Sequence, residues 1–435
     1  MPGEWTEKAL SDLCSYINRG SPPAYVEDGG VLVLSQKCVR EGRVDLQEAR
    51  RTDAYRKSID PMRMLRPRDI LVNSTGAGTL GRVAQAGSLP EPMTVDSHVT
   101  IVRPDPAAIE PRYLGFALRL LQREIEGLAE GSTGQTELAR ARLAAFTVPV
   151  APRNEQRSIA RIIGSLDDKV ELNRRMHETL EEVVRGLFRS WFVRFEPVRA
   201  KRGGNRPSFA REVTDLFPDR FGDSALGEIP VGWAVSRLED HVDLARGLSY
   251  KGTGLASSGL PLHNLNSVHE GGAYKHEGIK FYRGEYSQRH LVRPGDVIVA
   301  NTEQGHDRLL IGHAAVVPRG FGPTGIFSHH LYRVRLRRDS TLTPLYLCHM
   351  LNSRRMHDVV SGYANGTTVN MLPAEGLRLP SFVIPPIGLI QAFDYFATLV
   401  HQRQEVLQAE NRTLAVVVRG LLPKLLFGEL RVNGH

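Results

Sequence analysis

Apolar positions along the chain fall into two regimes. Short runs such as Val31–Leu34, Ile70–Val72 and Val99–Val102 are punctuated by Gly and Pro and predict buried strands. Ile279–Tyr282, Val297–Val299, Ala314–Val317 and Leu331–Val334 do the same in the second half. Helices are expected from Pro111 to about Leu128, with Tyr113, Phe116, Ala117, Leu120 and Leu121 on one face, and from Pro344 to Leu351. The other regime is a heptad seam. Ile159, Ile163, Leu166, Val170, Asn173, His177, Leu180, Val184, Leu187 and Trp191 alternate in steps of four and three. A second seam runs through Phe393, Ala397, Val400, Gln404, Leu407, Asn411, Leu414, Val418, Leu421 and Leu425. Each predicts a helix of about 40 residues, or about 60 Å at ~1.5 Å per residue. A domain of ~150 residues is too small to cover such a stripe, so the two helices are expected to pair.

The order of elements repeats because the chain repeats. Arg66-Pro67-Arg68-Asp69-Ile70-Leu71-Val72 returns 227 positions later as Arg293-Pro294-Gly295-Asp296-Val297-Ile298-Val299. Val183-Val184-Arg185-Gly186-Leu187 returns unchanged after 234 positions as Val417-Val418-Arg419-Gly420-Leu421. That period is far too long for a solenoid and marks a duplicated domain-plus-helix unit. Two such units pack most naturally about a pseudo-twofold axis, which makes the helices antiparallel. The expected fold is therefore α+β: two similar α/β domains joined by two long antiparallel coiled-coil helices. The segments are residues 1–152 and 231–385 for the domains, 153–195 and 386–430 for the helices, and 196–230 for a linker. Asn173, His177, Gln404 and Asn411 would either fix the helix register across the pair or simply be tolerated where the coil is wet. The linker reads as solvated, or as a phosphate-contacting strap, since Arg194 to Arg211 is locally basic.

Composition narrows the function. A net charge of +8 favours a polyanionic partner without proving one. No apolar run approaches the ~18 residues of a membrane span, and Met1-Pro2-Gly3-Glu4-Trp5 does not open a signal peptide. Cys14, Cys38 and Cys348 are scattered and odd in number, as free thiols in a reducing cytoplasm would be. The chain has no phosphate loop of the G-x-x-x-x-G-K-[ST] type, no strand-linked G-x-G-x-x-G and no H-E-x-x-H. Asp105-Pro106-Ala107-Ala108 is not the tetrapeptide with which adenine methyltransferases hold a flipped base. His329-His330 and Cys348-His349 read as surface or packing residues. No metal site or catalytic residue is expected.

Asn154-Glu155-Gln156-Arg157-Ser158-Ile159-Ala160 and Leu166-Asp167-Asp168-Lys169-Val170-Glu171-Leu172-Asn173-Arg174-Arg175 open the first helix. Leu187-Phe188-Arg189-Ser190-Trp191-Phe192-Val193 closes it, and Phe195-Glu196-Pro197-Val198, Leu216-Phe217-Pro218 and Leu226-Gly227-Glu228-Ile229-Pro230-Val231-Gly232-Trp233 follow. Together these resemble the spacer helix, central linker and second-domain entry of the specificity subunit of type I restriction-modification systems. Pro386-Ile387-Gly388-Leu389-Ile390-Gln391 departs from the N-E-Q pattern at the second helix. The resemblance implies two target-recognition domains, each reading one half of a bipartite asymmetric DNA site, with the helices as a ruler between half-sites. It implies a cytoplasmic subunit that does no chemistry and carries no cofactor. S-adenosylmethionine, ATP and Mg would belong to two modification (methyltransferase) subunits and to restriction (translocase/nuclease) subunits that assemble on it.

Under that reading the loops after strands are candidates for base contact. They offer Gln36 and Lys37, Asn73, Ser74 and Thr75, and Gln135 in one half. In the other they offer Asn264 and Asn266, Asn301, Thr302 and Gln304, and Thr367. Asn and Gln can pair bidentately with adenine edges, although each such residue can instead close a turn on its own backbone. Asn73-Ser74-Thr75-Gly76 is set against Asn301-Thr302-Glu303-Gln304 as a matched loop pair. Two other classes remain: a protein-binding scaffold without DNA affinity, and an enzyme whose site lies in the histidine-rich second half.

Overall fold

The computed structural model describes residues 5–432 apart from 55, 131–135, 206–208, 306–307 and 367–368. It divides into two compact units, residues 1–172 with 411–435, and residues 173–410.

In the first unit an antiparallel sheet has the order Cys14–Arg19, Val99–Pro104, Ile70–Asn73, Val83–Gln85. A second sheet runs Met93–Val95, Val31–Leu34, Arg50–Thr52, Tyr25–Val26, with its first two strands parallel. The second unit repeats the first sheet as Val242–Arg246, Leu331–Leu336, Val297–Ala300, Ala314–Val316. It repeats the parallel pair as Leu260–His263 with Gly325–Phe327, and adds Leu291–Val292 at that edge. Strands on the Ile70 and Val297 positions are buried throughout, which is why they read as unbroken apolar runs. Where the first strand leaves its sheet, both units require glycine. A Cβ on Gly20 would lie 1.9 Å from the Val95 carbonyl oxygen, and one on Gly247 2.1 Å from that of Ser328.

Pro344–Leu351 is a helix as expected, begun by the Thr343 hydroxyl accepting from the Tyr346 amide at 3.3 Å. The expected single helix from Pro111 is two, Pro111–Leu120 and Gln122–Glu126. The chain leaves helical geometry at Leu121 (φ −87°, ψ 19°), Gln122 turns its amide oxygen to the Val83 amide at 3.2 Å, and Ile125 is fully buried. Core burial of that kind outweighs continuation of the helix.

The two long helices, α1 (Arg153–Phe188) and α2 (Ile387–Leu426), each contribute to both units. Every position of both predicted seams is at least partly withdrawn from solvent. In the first unit Ile159 and Ile163 share a core with Leu422, Leu425 and Leu426, and Arg431 pairs with Glu155 at 2.8 Å. In the second, Asn173 donates to Glu410 at 2.8 Å, Gln404 donates to the His177 carbonyl at 3.2 Å, and Phe188 meets Phe393 with ring centroids 5.4 Å apart. Rising numbers on one helix meet falling numbers on the other, so the pair is antiparallel. Of the polar seam residues, Asn173 and Gln404 bond across it with their side chains.

Two expectations about the segment after α1 are corrected. The helix does not continue regularly to 195; a π-helical turn, Arg189–Val193, follows Phe188. The wider turn places both Trp191 and Phe192 in the core, with Phe192 5.0 Å from Tyr346. The following stretch is not simply a solvated linker. Glu196–Arg202 is helical, and Val198, Phe217 and Ile229 are buried in the core of the second unit.

Candidate functional site

The repeated Arg-Pro-x-Asp text builds the same clasp twice. Asp69 takes two hydrogen bonds from Arg103, at 2.8 and 2.7 Å, and one from the Arg66 amide at 2.8 Å. Asp296 takes two from Arg335, both at 2.7 Å, and one from the Arg293 amide at 2.8 Å. The fork geometry of arginine fixes one strand against its neighbour in both units. The residue before each aspartate is left-handed: Gly295 at φ 89°, and Arg68 at φ 75°, where a side chain costs about 1–2 kcal/mol.

These clasped strands lead into the candidate loops. The Ser74 amide donates to the His98 carbonyl (2.8 Å), and the Asn301 amide to that of His330 (3.0 Å). Leu138 donates its amide to the Ser74 carbonyl and Leu372 to that of Asn301, both at 2.8 Å. The structural partners are therefore Ser74 with Asn301 and Thr75 with Thr302, which corrects by one position the pairing of Asn73 with Asn301. A neighbouring turn is also duplicated. The Ser35 hydroxyl accepts from the Lys37 amide at 3.2 Å, and the Asn264 side chain from the Asn266 amide at 3.0 Å. Lys37 and Asn266 thus stand at one position, both exposed, and Gln36 corresponds to Leu265.

Burial divides the candidates by role. Asn73, Ser74, Asn264, Asn301 and Thr302 are at most 5% exposed. They work on the loops: Asn73 donates to the carbonyls of Gln36 and Thr79 at 3.0 and 3.1 Å, and Asn301 to that of His329 at 3.0 Å. Ser74 bonds Thr100 at 2.6 Å, and Asn264 donates to the Gly278 carbonyl at 2.7 Å. Lys37, Asn266 and Gln304 face solvent, while Gln36 and Thr75 are half-buried. Gln36 and Asn73 are brought together in the first unit; Gln135 and Thr367 lie outside the described residues.

Three contributors escape a reading of the text. Thr75 Oγ1 and His98 Nδ1 are 2.7 Å apart, and Thr302 Oγ1 and His330 Nδ1 are 2.8 Å apart. Carrying the repeat past its two insertions, five residues in all, so that Val99 meets Leu331, would have aligned the two histidines. Glu303 is the third: its carboxylate accepts from the amides of Leu309, Leu310 and Ile311 at 2.8, 3.0 and 3.0 Å. In the first unit the same place is Gly76, whose carbonyl accepts from Thr79 and Leu80.

A separate polar cavity of about 60 Å³ lies in the second unit, lined by His177, Glu181, Cys348, His349, His401 and Gln404 among others. Burial lowers all three imidazoles and raises the Cys348 thiol. Desolvation pushes Glu181 up, but His349 and the Gln404 amide outweigh it and hold the carboxyl below its usual range. Desolvated imidazoles and a thiol raised by burial make a packing site rather than a poised nucleophile. Among the described residues no group of three or more His, Cys, Asp or Glu is placed to hold a metal, and no helix is long and apolar enough to cross a membrane.

Residues 2–182 match the family described as type I restriction modification DNA specificity domain. The MjaIX type I restriction enzyme specificity subunit of Methanocaldococcus jannaschii is 24% identical over 371 residues, covering 82% of this chain and 77% of that one. The putative MjaX specificity subunit of the same organism is 20% identical over 453 residues, covering 100% and 95%. The crystal structure of a type I restriction-modification S subunit from M. genitalium superposes with a TM-score of 0.54 at 14% identity, over 97% of this chain and 96% of that one.

Proposed function

Taking as premise that the chain belongs to the type I restriction-modification specificity subunits, we propose that it is the non-catalytic DNA reader of such a complex. One observation carries this reading. The same clasp, turn and loop are built in both units, but different side chains are displayed at matched exposed places, Lys37 against Asn266. Duplicated architecture with divergent display is what reading two unlike half-sites requires.

The methyl transfer and any cleavage fall to partner subunits, which bring S-adenosylmethionine and ATP with Mg. Exposed apolar side chains along α2, among them Tyr395, Leu399, Val406 and Val416 at 50–67% exposure, support docking of two modification subunits on the helices. The helix pair sets the gap between half-sites.

The test is single-molecule methylome sequencing of a host expressing this chain with its modification subunit. N6-methyladenine in one gapped asymmetric motif, absent when the chain is omitted, is the expected result. Uniform absence of such a motif with a soluble modification subunit present would overturn the reading. Removing one heptad from each helix should alter the gap and leave the half-site letters unchanged.

A further inference from the structure

Resting on that reading, we infer that the Thr75–His98 and Thr302–His330 pairs are matched phosphate clamps, each imidazole offering its outer nitrogen to the DNA backbone at the equivalent point of the two half-sites. The hydrogen bond is the same in both units, 2.7 and 2.8 Å from Thr Oγ1 to His Nδ1. It hangs on the same backbone bond, from Ser74 to His98 and from Asn301 to His330.

Its surroundings are not the same. Lys37 faces Asn266 across the repeat, Gln36 faces Leu265, and Gly76 faces Glu303. Positions that differ are suited to bases that differ. A pair retained in both units is suited to what two unlike half-sites have in common, which is the sugar-phosphate backbone.

The local chemistry agrees. The threonine hydroxyl serves the ring in either charge state, donating to Nδ1 when the imidazole is neutral and accepting from it when protonated. In both cases Nε2 carries a hydrogen outward, as a phosphate oxygen needs. His98 is exposed and His330 half-buried, and neither Nε2 has a protein partner among the described residues. An arginine ends the first strand of each sheet, Arg19 and Arg246, next to the glycine that approaches the His98 or His330 segment. Arg246 is near enough to His330 to help lower its pKa, after burial and His329. Arg246 thereby places positive charge beside the His330 imidazole, whereas Arg19 is held by Glu137 at 2.6 Å.

The experiment uses the assembled complex with its modification subunits. Binding is measured to the duplex found by methylome sequencing and to duplexes with one half-site letter changed. His98→Ala and His330→Ala are each expected to weaken both duplexes by the same factor, about tenfold for a hydrogen bond to a charged group. The Gln variants keep a donor and should recover most of that loss. Thr75→Val and Thr302→Val, which free the ring, should cost about threefold, again without preference. If His330→Ala fails to assemble, Thr302→Val decides the matter alone. A loss confined to the cognate duplex, or a changed motif letter, would make the histidines base readers and overturn the clamp. Unchanged binding by the alanine variants would overturn it as well. A wild-type complex without any motif sinks the functional reading itself, and a selective wild type with indifferent variants sinks only the clamps.

Discussion

The same clasp is nearly dry in the first unit and wet in the second. The Asp69 and Arg103 side chains are 1% and 6% exposed, whereas Asp296 and Arg335 are 11% and 40% exposed. Equal geometry in unequal surroundings has unequal worth, because removing one partner of a buried pair strands a charge where water cannot reach it. Duplication has kept the bond lengths and let the energetics diverge. The histidines divide the same way. Among the described residues the only histidine in the first unit is His98, and every other described histidine lies in the second.

The sharpest way to break this comparison is to truncate each aspartate. Asp69→Ala should destabilise the first unit by about 3–5 kcal/mol. Asp296→Ala should cost the second about 1 kcal/mol, since water can solvate the Arg335 left behind. Hydrogen exchange in the Val99–Pro104 and Leu331–Leu336 strands measures the two separately, and equal losses would refute the distinction.

Acid is the next largest effect. Burial pushes His263, whose Nδ1 lies 2.7 Å from the Tyr274 hydroxyl, down to about 4; burial and the His357 ring stacked 3.8 Å away do the same to His313. Both are neutral when folded but protonate near their ordinary value of about 6.5 when unfolded. Unfolding therefore takes up protons, and stability falls as pH drops from about 6.5 to about 4, then levels off for these groups. At pH 5 His263 alone accounts for a loss on the order of 2 kcal/mol. Hydrogen exchange corrected for intrinsic rates should show Val297–Ala300 losing protection between pH 7 and pH 5 while Ile70–Asn73 keeps it.

The smallest effect is the most specific. Lys37→Asn gives the first unit the side chain found at the matched place in the second. It should leave stability unchanged and alter one letter of one half-site, by about 1 kcal/mol of discrimination. A methylome in which both half-sites changed would end the idea of independent readers.

What the text revealed and what it hid have physical causes. Fully buried strands such as Ile70–Asn73 and Val297–Ala300 announce themselves because both faces are apolar. The helix seams were legible because period 3.5 has few competitors, and Asn173 and Gln404 stood out as polar breaks in them. Their acceptors Glu410 and Glu181 did not, because a carboxylate beside a seam looks like any solvated helix residue. The match of His98 with His330 was hidden by insertions beyond the loop: the offset of 227 at Ile70 and Val297 becomes 232 at Val99 and Leu331. The candidate asparagines are buried because they close the loops on neighbouring carbonyls, and a small polar residue after a strand reads the same whether it closes a turn or meets a base. Packing of Val198, Phe217 and Ile229 was illegible for another reason, since isolated apolar residues among Gly and Pro have no period.

Closure of the first unit uses chain from both sides of the second. Trp5 donates to the Leu426 carbonyl at 2.6 Å across 421 residues, and Leu422, Leu425 and Leu426 fill the core around Ile159 and Tyr113. The second unit is one uninterrupted stretch, residues 173–410. On the ribosome the order of writing and the order of completion are thus reversed. The unit begun first stands open, its apolar floor around Leu10 and Ile163 waiting, until the other has been made and α2 arrives to close it.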